Sequence, residues 1–303
     1  MRKNSTTTFP SMATVNKMFG KLLKFPEHTK AITPSRFFRH VPSVFSLFFI
    51  LFLFTQCQEV KKGCLDIRAT NFDATADKPC VDNCCTYPNL SIEATYNADS
   101  DQFKADKFYK FPNGDSIKII DIQFYLSDIQ LVNASNKTFT VIDDAVLYWA
   151  KDTVRTRNNF TLAGRNNGFS FKLGKFNTID KFTKLRFKLG LTDTLNKTDP
   201  TKMPTGHPLS MQSDSTLYNK TTKSYVFNKI VVARGQPFGD TLRLSITSLK
   251  DIEITTNIIN KEGFDVNIPL TVNYLAFFKD VNFRGTENSI KEKIVSNYVN
   301  VFQ

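Results

Sequence analysis

The stretch Ile120–Leu131, IDIQFYLSDIQL, decides the fold class of this chain. Apolar side chains alternate along it as far as Leu126, which is the pattern of a β-strand with one buried face. The alternation slips by one residue at Ser127–Asp128 and resumes at Ile129. Such a slip indicates a β-bulge or a kink between sheets. The segment therefore predicts a bent β-strand.

The same period of two recurs later in the chain, which favours an all-β protein. The further alternating runs are Leu185–Leu191, Leu242–Ile246 and Val266–Tyr274. Turn clusters rich in glycine and proline separate the runs, at Pro112–Gly114, Gly164–Gly168 and Gly235–Gly239. We expect residues 89–303 to form a single antiparallel β-sandwich.

One helix is predicted at the C-terminus. Ser289 followed three residues later by Glu292 has the pattern of a capping box. An apolar side chain then recurs every fourth residue, at Ile290, Ile294, Tyr298 and Phe302. We expect this amphipathic helix to pack on the edge of the sandwich.

The N-terminal leader, residues 1–57, ends in an apolar run, Val41–Cys57, that stops at a cysteine. The run is shorter than the roughly 20 residues that span a bilayer, and a basic flank precedes it, as in secretory signals. Leu51–Cys57 resembles a lipobox with a bulky Gln56. We predict a bacterial lipoprotein signal, with Cys57 lipidated and the protein anchored in the outer membrane of the cell envelope. A simple signal peptide and an uncleaved anchor are the alternatives.

Reserving Cys57 for lipid leaves four cysteines, an even number that suits two disulfides in an oxidising compartment. They are Cys64, Cys80, Cys84 and Cys85, and they lie in the segment 58–88, a tether followed by a cysteine-rich module. Because Cys84 and Cys85 are adjacent, we expect each to pair outward, with Cys64 or Cys80. Zinc binding is the alternative, but only Cys80-x₃-Cys84 approaches the usual ligand spacing.

Four aspartates of this module offer oxygen atoms to a calcium ion, namely Asp66, Asp73, Asp77 and Asp82. Their spacing does not match an EF-hand loop. Aspartate also hydrogen-bonds its own backbone in turns. We therefore favour turn residues over a calcium site.

The net charge of +12 suggests nucleic-acid binding only until the leader is considered. Residues 1–57 carry eight Lys or Arg and one Glu, so +7 belongs to the leader and +5 remains for residues 58–303. No basic cluster stands out in that remainder. We expect no nucleic-acid partner.

A single histidine, His207, remains beyond the leader, and this excludes most enzyme classes. Histidine-paired zinc motifs, a nucleophile elbow, a P-loop and a dinucleotide fingerprint are all missing. A pair of carboxylates acting on a glycoside is the one enzymatic alternative. We predict a protein that is not an enzyme.

His207 lies between Met203 and Met211 in KMPTGHPLSM, four residues from each. Thioether and imidazole groups are donors that Cu(I) accepts well. The three residues are therefore candidate copper ligands. The competing interpretation is that the methionines fill the core and that the histidine is an ordinary hydrogen-bonded residue.

Three segments together resemble the MbnP-like family of bacterial envelope proteins: FYLSDIQL at 124–131, LRFKLGLTDTLNKTDP at 185–200, and GHPLSM at 206–211. The cysteine-rich stretch GCLDIRATNFDATADKPC at 63–80 is similar to modules of secreted Bacteroidetes proteins. The resemblance implies a β-sandwich over most of the chain beyond the leader. It also implies copper binding through a histidine and an oxidised tryptophan, with a dihaem protein as partner.

Only the histidine carries over, since His207 matches the family's HPL motif. Where the family has tryptophans the chain reads TLYNKTTKSY, at 216–225, and its one tryptophan is Trp149 in an earlier strand. We therefore expect an envelope-anchored binding lipoprotein, with copper as candidate ligand. The alternative is a structural or adhesion-type surface sandwich without metal.

Overall fold

The computed structural model describes residues 59–164 and 167–303. The leader 1–57 and Cys57 lie outside these residues, so the signal and the lipid anchor stay predictions. Within the described residues, no helix is long and apolar enough to cross a membrane. The proposed boundary between the cysteine-rich module and the sandwich, at residues 88 and 89, also stays a prediction.

The described residues consist mainly of β-strands. In chain order the strands are β1 Lys62–Gly63, β2 Lys78–Pro79, β3 Asn89–Ala98, β4 Asp101–Gln102, β5 Tyr109–Lys110, β6 Ser116–Asn133, β7 Thr138–Phe139, β8 Asp144–Tyr148, β9 Thr153–Arg157, β10 Thr161–Gly164, β11 Ser170–Lys175, β12 Lys181–Leu189, β13 Tyr218–Asn219, β14 Ser224–Tyr225, β15 Asn228–Arg234, β16 Thr241–Ile246, β17 Lys250–Ile259 and β18 Val266–Asn273. The α-helices are α1 Asp193–Asn196 and α2 Glu287–Asn297, and 3₁₀ turns cover Ser215–Leu217, Leu275–Phe278 and Tyr298–Asn300.

Two sheets form the sandwich, which confirms the predicted fold class. The larger sheet has the order β16-β15-β6-β12-β17, all antiparallel, and β5, β7 and β10 also pair with β6. The smaller sheet has the order β11-β3-β18, with β4 beside β3. Within this sheet, β3 and β18 pair in parallel. The alternating pattern could not reveal whether two strands pair in parallel or antiparallel, because a strand with one buried face has the same pattern in both arrangements.

The inner faces of both sheets share one hydrophobic core. In β3 every second side chain from Leu90 to Ala98 is buried, and β18 contributes Val266 to Val272 in the same way. Phenylalanines from β6, β12 and the 3₁₀ turn after β18 fill the space between the sheets. Each fully buried side chain of this size stabilises the folded state by about 1.5–3 kcal/mol relative to exposure. Burial of this core is therefore the main force that holds the two sheets together.

The central strand β6 contains the predicted bulge and a second one. Its pairing with β12 shifts register between Ser127 and Gln130, and Asp128 has a φ of 53°. The pairing with β15 shifts as well, so that Ile120 is skipped and is 38% exposed. Ile120 therefore does not share the core face of Ile122, as the simple alternation predicted. The bulge turns it outward.

The outer face of β6 is also buried, which a two-layer sandwich does not require. Its outward side chains Gln123, Tyr125 and Ser127 are 5% exposed or less. Residues 190–227, called here the covering segment, pack on this outer face. Together with residues of the β8–β9 hairpin and β10 they form a second hydrophobic cluster. The members of this cluster are Tyr125, Ala145, Leu147, Phe160, Leu162, Leu191, Leu195, Met203, Leu209, Leu217, Tyr225, Val226 and Phe227.

The C-terminal helix is confirmed, but its capping box is wrong. Helix α2 begins at Glu287, and its N-cap is Thr286, whose hydroxyl accepts a hydrogen bond from the Ser289 N–H at 3.3 Å. Ser289 therefore lies inside the first turn rather than before it. The predicted apolar face is buried as expected, at Ile290, Ile294, Tyr298 and Phe302. Phe302 lies beyond the helix, in a bridge to β18.

The cysteine-rich module contains two disulfides, Cys64–Cys85 and Cys80–Cys84. The adjacent cysteines pair outward, as the sequence predicted. Two aspartates of the module close turns: Asp66 accepts from the Arg68 N–H at 3.0 Å, and Asp73 from the Thr75 N–H at 2.9 Å. Hydrogen bonds and ion pairs thus occupy these carboxylates, in line with turn residues rather than calcium ligands.

Candidate functional site

The candidate ligands lie in the covering segment, in a pair of consecutive turns. The His207 N–H donates to the Pro204 carbonyl at 3.1 Å, and Gly206 between them has a φ of 82°. That φ is the one a type II turn requires at its third residue, and glycine adopts it without strain. The Ser210 N–H then donates to the His207 carbonyl at 2.9 Å, which closes the second turn.

Two buried tyrosines fix the backbone directly after His207. The Tyr125 hydroxyl donates to the Pro208 carbonyl at 3.2 Å, and the Tyr225 hydroxyl donates to the Leu209 carbonyl at 2.7 Å. Burial raises the pKa of both phenols well above the usual value. Both hydroxyls therefore stay protonated as hydrogen-bond donors. The turn is fastened to the outer face of the larger sheet.

The imidazole of His207 is half-buried and held in one orientation. Its Nδ1 accepts a hydrogen bond from the Leu209 N–H at 3.1 Å, and its ring centroid lies 5.7 Å from that of Phe160. Burial lowers the pKa of His207, because the charged form is disfavoured away from water. The ring is thus neutral at pH 7, and the proton of the neutral form resides on Nε2.

His207 and Met203 line the same pocket. The pocket has a volume of about 280 Å³, and its other lining residues are Ala145, Val146, Tyr148, Asn158 and Pro204. Met203 is 6% exposed and belongs to the second hydrophobic cluster. Met211 does not line the pocket. Two of the three candidate ligands therefore line one pocket.

The donor set at this pocket is small. Among the described residues, no His207-containing group of three His, Cys, Asp or Glu side chains has ligand atoms within 4.8 Å of one another. Trp149 does not line the pocket either. It follows β8, and its indole donates to the Thr194 carbonyl at 3.2 Å. One imidazole and one thioether suit Cu(I), whereas Cu(II) prefers several nitrogen or oxygen ligands.

The sequence did not single out Tyr148, Tyr125 or Tyr225 as residues of this site. A signal was available for Tyr125, since it follows Phe124 directly in β6 and so places an aromatic ring on each face of the strand. Tyr148 is 37% exposed and lines the pocket. No local pattern distinguishes it from an ordinary strand residue.

A buried ion-pair group connects the covering segment to the larger sheet. The Lys229 ammonium contacts Asp121 at 2.8 Å and also contacts Asp214, and the Gln123 amide donates to both carboxylates. Burial opposes ionisation of Asp214, but hydrogen bonds from Lys229, Thr216 and Gln123 outweigh it and lower the pKa to about 2. This pair of acids is occupied by a lysine, which favours a structural role over glycoside chemistry.

The comparison with known families decides the affiliation of this chain. The sequence model of the MbnP family matches residues 87–295. The chain belongs to the MbnP family. The solved structure of MbnP from Methylosinus trichosporium is also similar, with 12% sequence identity, a TM-score of 0.42, and coverage of 64% of this chain and 78% of that chain. Among curated proteins, none matches.

Membership of the MbnP family confirms the resemblance seen in the sequence. It associates the chain with metal-related β-sandwich proteins of the periplasm. The matched residues include the whole covering segment, and therefore the His207 pocket.

Proposed function

We propose that this protein binds Cu(I) in the cell envelope, through His207 and Met203, and that it acts by binding rather than by catalysis. The observation that carries the proposal is the pocket that His207, with its neutral imidazole, and Met203 both line. Both are soft or borderline donors, and Cu(I) selects such ligands. The family match supports a metal-related role.

The hydrogen bond at Nδ1 limits the affinity. A metal-bound histidine usually donates its other ring N–H to an acceptor, whereas His207 accepts from the Leu209 N–H. A metal bound at Nδ1 would displace the Leu209 N–H from that nitrogen. A metal bound at Nε2 would force the ring proton onto Nδ1, where it would face the Leu209 N–H, so that two donors would point at each other. Either change costs about 1–3 kcal/mol, as for an unsatisfied buried group. We therefore expect affinity near the micromolar range rather than a tightly bound metal.

The test is an anaerobic titration of the oxidised protein with Cu(I) against a chromophoric competitor. His207→Ala should weaken binding at least about tenfold, a loss of about 1.4 kcal/mol. His207→Asn is the matched variant, because its side-chain oxygen can still accept from the Leu209 N–H while the imidazole is gone. If both variants bind Cu(I) with the affinity of the unchanged protein, His207 is not a copper ligand.

Substitutions of the two methionines distinguish a copper site confined to the pocket from the three-residue site that the sequence predicted. Met203→Leu keeps the volume of the side chain and removes the sulfur, so it should weaken Cu(I) binding without unfolding the second cluster. Met211→Leu is expected to have the smaller effect, because Met211 lies outside the pocket lining. Equal losses in the two variants would instead support the three-residue site that the sequence predicted.

We also propose that Cys57 carries the lipid that holds the protein in the envelope. The support is the apolar run that ends at this cysteine, and the disulfides of the following module, which suit an oxidising compartment. Cys57→Ser should abolish labelling by palmitate and release the protein from membranes. Retention of the label would refute the anchor.

The rival function is a surface sandwich that presents loops to a protein or glycan without metal. It predicts the same envelope location but no measurable Cu(I) binding. Pull-down from outer-membrane extracts, with and without copper, distinguishes the two. A partner captured equally under both conditions, together with no measurable Cu(I) affinity, would favour the rival.

A further inference from the structure

One edge of β3 is only partly covered by neighbouring strands. On the edge opposite to β18, β11 pairs with β3 from Asn89 to Glu93, and β4 pairs with its last two residues, Asn97 and Ala98. The residues between these two stretches lie in a gap with a volume of about 310 Å³, called here the edge pocket. Its lining residues are Ala94, Thr95, Tyr96, Gln102, Phe103, Ala105 and Phe169.

Two backbone groups of β3 point to this gap. The Ala94 N–H donates to the Phe169 carbonyl at 2.6 Å, and the Tyr96 carbonyl accepts from the Phe103 N–H at 3.0 Å. The N–H and the carbonyl of one strand residue point to the same edge, so the Ala94 carbonyl and the Tyr96 N–H point there as well. Among the described residues, neither of these last two groups has a backbone partner.

A carbonyl and an N–H placed two residues apart on a strand match one residue of a parallel strand. That residue donates its N–H to the first group and accepts with its carbonyl from the second. Water can satisfy the two groups separately, but an extended peptide satisfies both at once, as in β-strand addition to a sheet edge. The backbone of the gap therefore fits a peptide.

Aromatic rings line the same pocket. Phe169 is 63% exposed, and its ring centroid lies 5.6 Å from that of Tyr96. Tyr96 stacks on Tyr274 at 5.0 Å, and Phe103 contacts Tyr274 edge to face at 4.9 Å. Packing of this kind holds Tyr96 and Phe103 in place, and a further aromatic ring placed against them gains both buried area and ring contacts.

The position of that ring follows from the pleat. The bonding residue of the peptide lies opposite Thr95, which is exposed, and the next residue lies opposite Tyr96, which is buried. Neighbouring side chains of a strand point to opposite faces. The residue after the bonding one therefore points to the face of Tyr96 and of Phe103, which follows β4.

A basic pocket adjoins the edge pocket. Gln102 lines both, and the other lining residues of the second pocket are Asp101, Lys104, Lys107 and Tyr109. Two lysines outnumber one aspartate there, so the second pocket favours a negatively charged group. A peptide that runs parallel to β3 reaches it last, because β4 begins beyond Tyr96.

We propose that the edge pocket binds an extended peptide segment, parallel to β3, in which an aromatic residue is followed by an acidic one. The residue before the aromatic one makes the two hydrogen bonds with Ala94 and Tyr96. The ring packs on Phe103 and Phe169, and the carboxylate faces Lys104 and Lys107. This site is separate from the His207 pocket and does not depend on copper binding.

The test is an NMR titration of the full-length protein with acetyl-Ala-Phe-Glu-methylamide, followed at the Tyr96 backbone amide. The signal should move saturably, with a Kd of about 1 mM or tighter. N-methylation of the peptide's alanine removes the donor to the Ala94 carbonyl and should weaken binding about fivefold, as for one lost hydrogen bond. Alanine in place of the peptide's phenylalanine should weaken binding at least as much, and glutamine in place of its glutamate about twofold.

Phe169→Ala is the variant of the protein, because its exposed ring can be removed while its carbonyl stays. It should weaken peptide binding about fivefold. Phe264→Ala is the matched control, since Phe264 is 66% exposed and does not line the edge pocket, and it should bind as the unchanged protein does.

No saturable shift at Tyr96, or equal binding of the N-methylated peptide, would overturn the proposal. Equal peptide affinity in Phe169→Ala and Phe264→Ala would do the same. A Tyr96 signal that moves with protein concentration alone would show that a second copy of the chain occupies the pocket, which also contradicts a peptide site. None of these outcomes involves His207, so failure of the copper site is distinguishable.

Discussion

Replacing Lys229 by methionine should destabilise the protein and loosen the segment that carries His207. The Lys229 ammonium lies between Asp121 and Asp214, and its side chain is only 14% exposed. Asp214 caps the 3₁₀ turn Ser215–Leu217 at the end of the turns that hold His207. The lysine therefore fastens the covering segment to β15. Methionine keeps most of the side-chain volume and removes the charge.

The magnitude follows from the burial of the two carboxylates, whose side chains are 11% and 18% exposed. Removing one partner of a buried ion pair costs about 3–5 kcal/mol, because the remaining charge is left without compensation. The partial exposure of this group places the expected loss near about 3 kcal/mol. With a urea m-value of about 3 kcal/mol/M for a domain of this size, the midpoint should fall by about 1 M.

The effect should depend on pH in a defined direction. Hydrogen bonds, that from Lys229 among them, lower the pKa of Asp214 to about 2, below its ordinary value of 3.8, although burial alone raises it. The stabilisation is therefore complete above pH 4 and is lost as the pH falls toward 2. The difference between the variant and the unchanged protein should be largest at pH 7 and should shrink below pH 4.

The assay is urea unfolding followed by circular dichroism at pH 7 and at pH 3. Lys188→Met is the control, since Lys188 pairs with Asp251 on the same sheet, but the Asp251 side chain is 80% exposed. Exposed pairs contribute about 0.2–1 kcal/mol, so the control should shift the midpoint by a third of the amount or less. A loss below about 1 kcal/mol for Lys229→Met, or one independent of pH, would refute the reasoning.

Three further predictions concern the backbone, the helix and the histidine. Gly164→Ala should lower the free energy of unfolding by about 3 kcal/mol or more, because a Cβ there would lie 2.1 Å from a backbone oxygen of β6. Gly114→Ala is the control: Gly114 also has a positive φ but no atom within 4 Å of the added Cβ, so it should cost only about 1–2 kcal/mol. Equal losses in thermal or urea unfolding would contradict the close approach at Gly164. Thr286→Ala should destabilise the protein by about 1 kcal/mol through loss of the N-cap of α2, and an unchanged urea midpoint would contradict that cap. In an NMR titration, the His207 imidazole should have its midpoint below pH 6.5, since burial disfavours the charged ring; a midpoint above 6.5 would mean that the ring is exposed or paired with an acid.

The strands were predictable because each buries one face against the opposite sheet. The alternation in Val266–Tyr274 and in Leu185–Leu189 survives in β18 and β12, and the slip at Ser127–Asp128 proved to be a bulge. The second bulge at Ile120 left no trace, because isoleucine there fits either face. The parallel pairing of β3 and β18 joins residues 176 positions apart, such as Leu90 and Val266, which no local pattern encodes.

The sequence could supply candidate ligands for the site but not their surroundings. The spacing of Met203, His207 and Met211 is local, so the sequence displays it directly. Which of the three share a pocket depends on how the covering segment packs on Tyr125 and on the β8–β9 hairpin. That packing is set by contacts across more than 50 residues of sequence, so Met211 could not be separated from Met203 in advance.

The parallel pair β3–β18 has a consequence for the order in which the sandwich can form. The first long strand of the sandwich completes its sheet only with the last one. The smaller sheet can therefore close only when β18, the last strand of the sandwich, is available. Contacts so distant in sequence also form slowly. We therefore expect the closure of the smaller sheet to be a late step in folding, after the antiparallel neighbours in the larger sheet have paired.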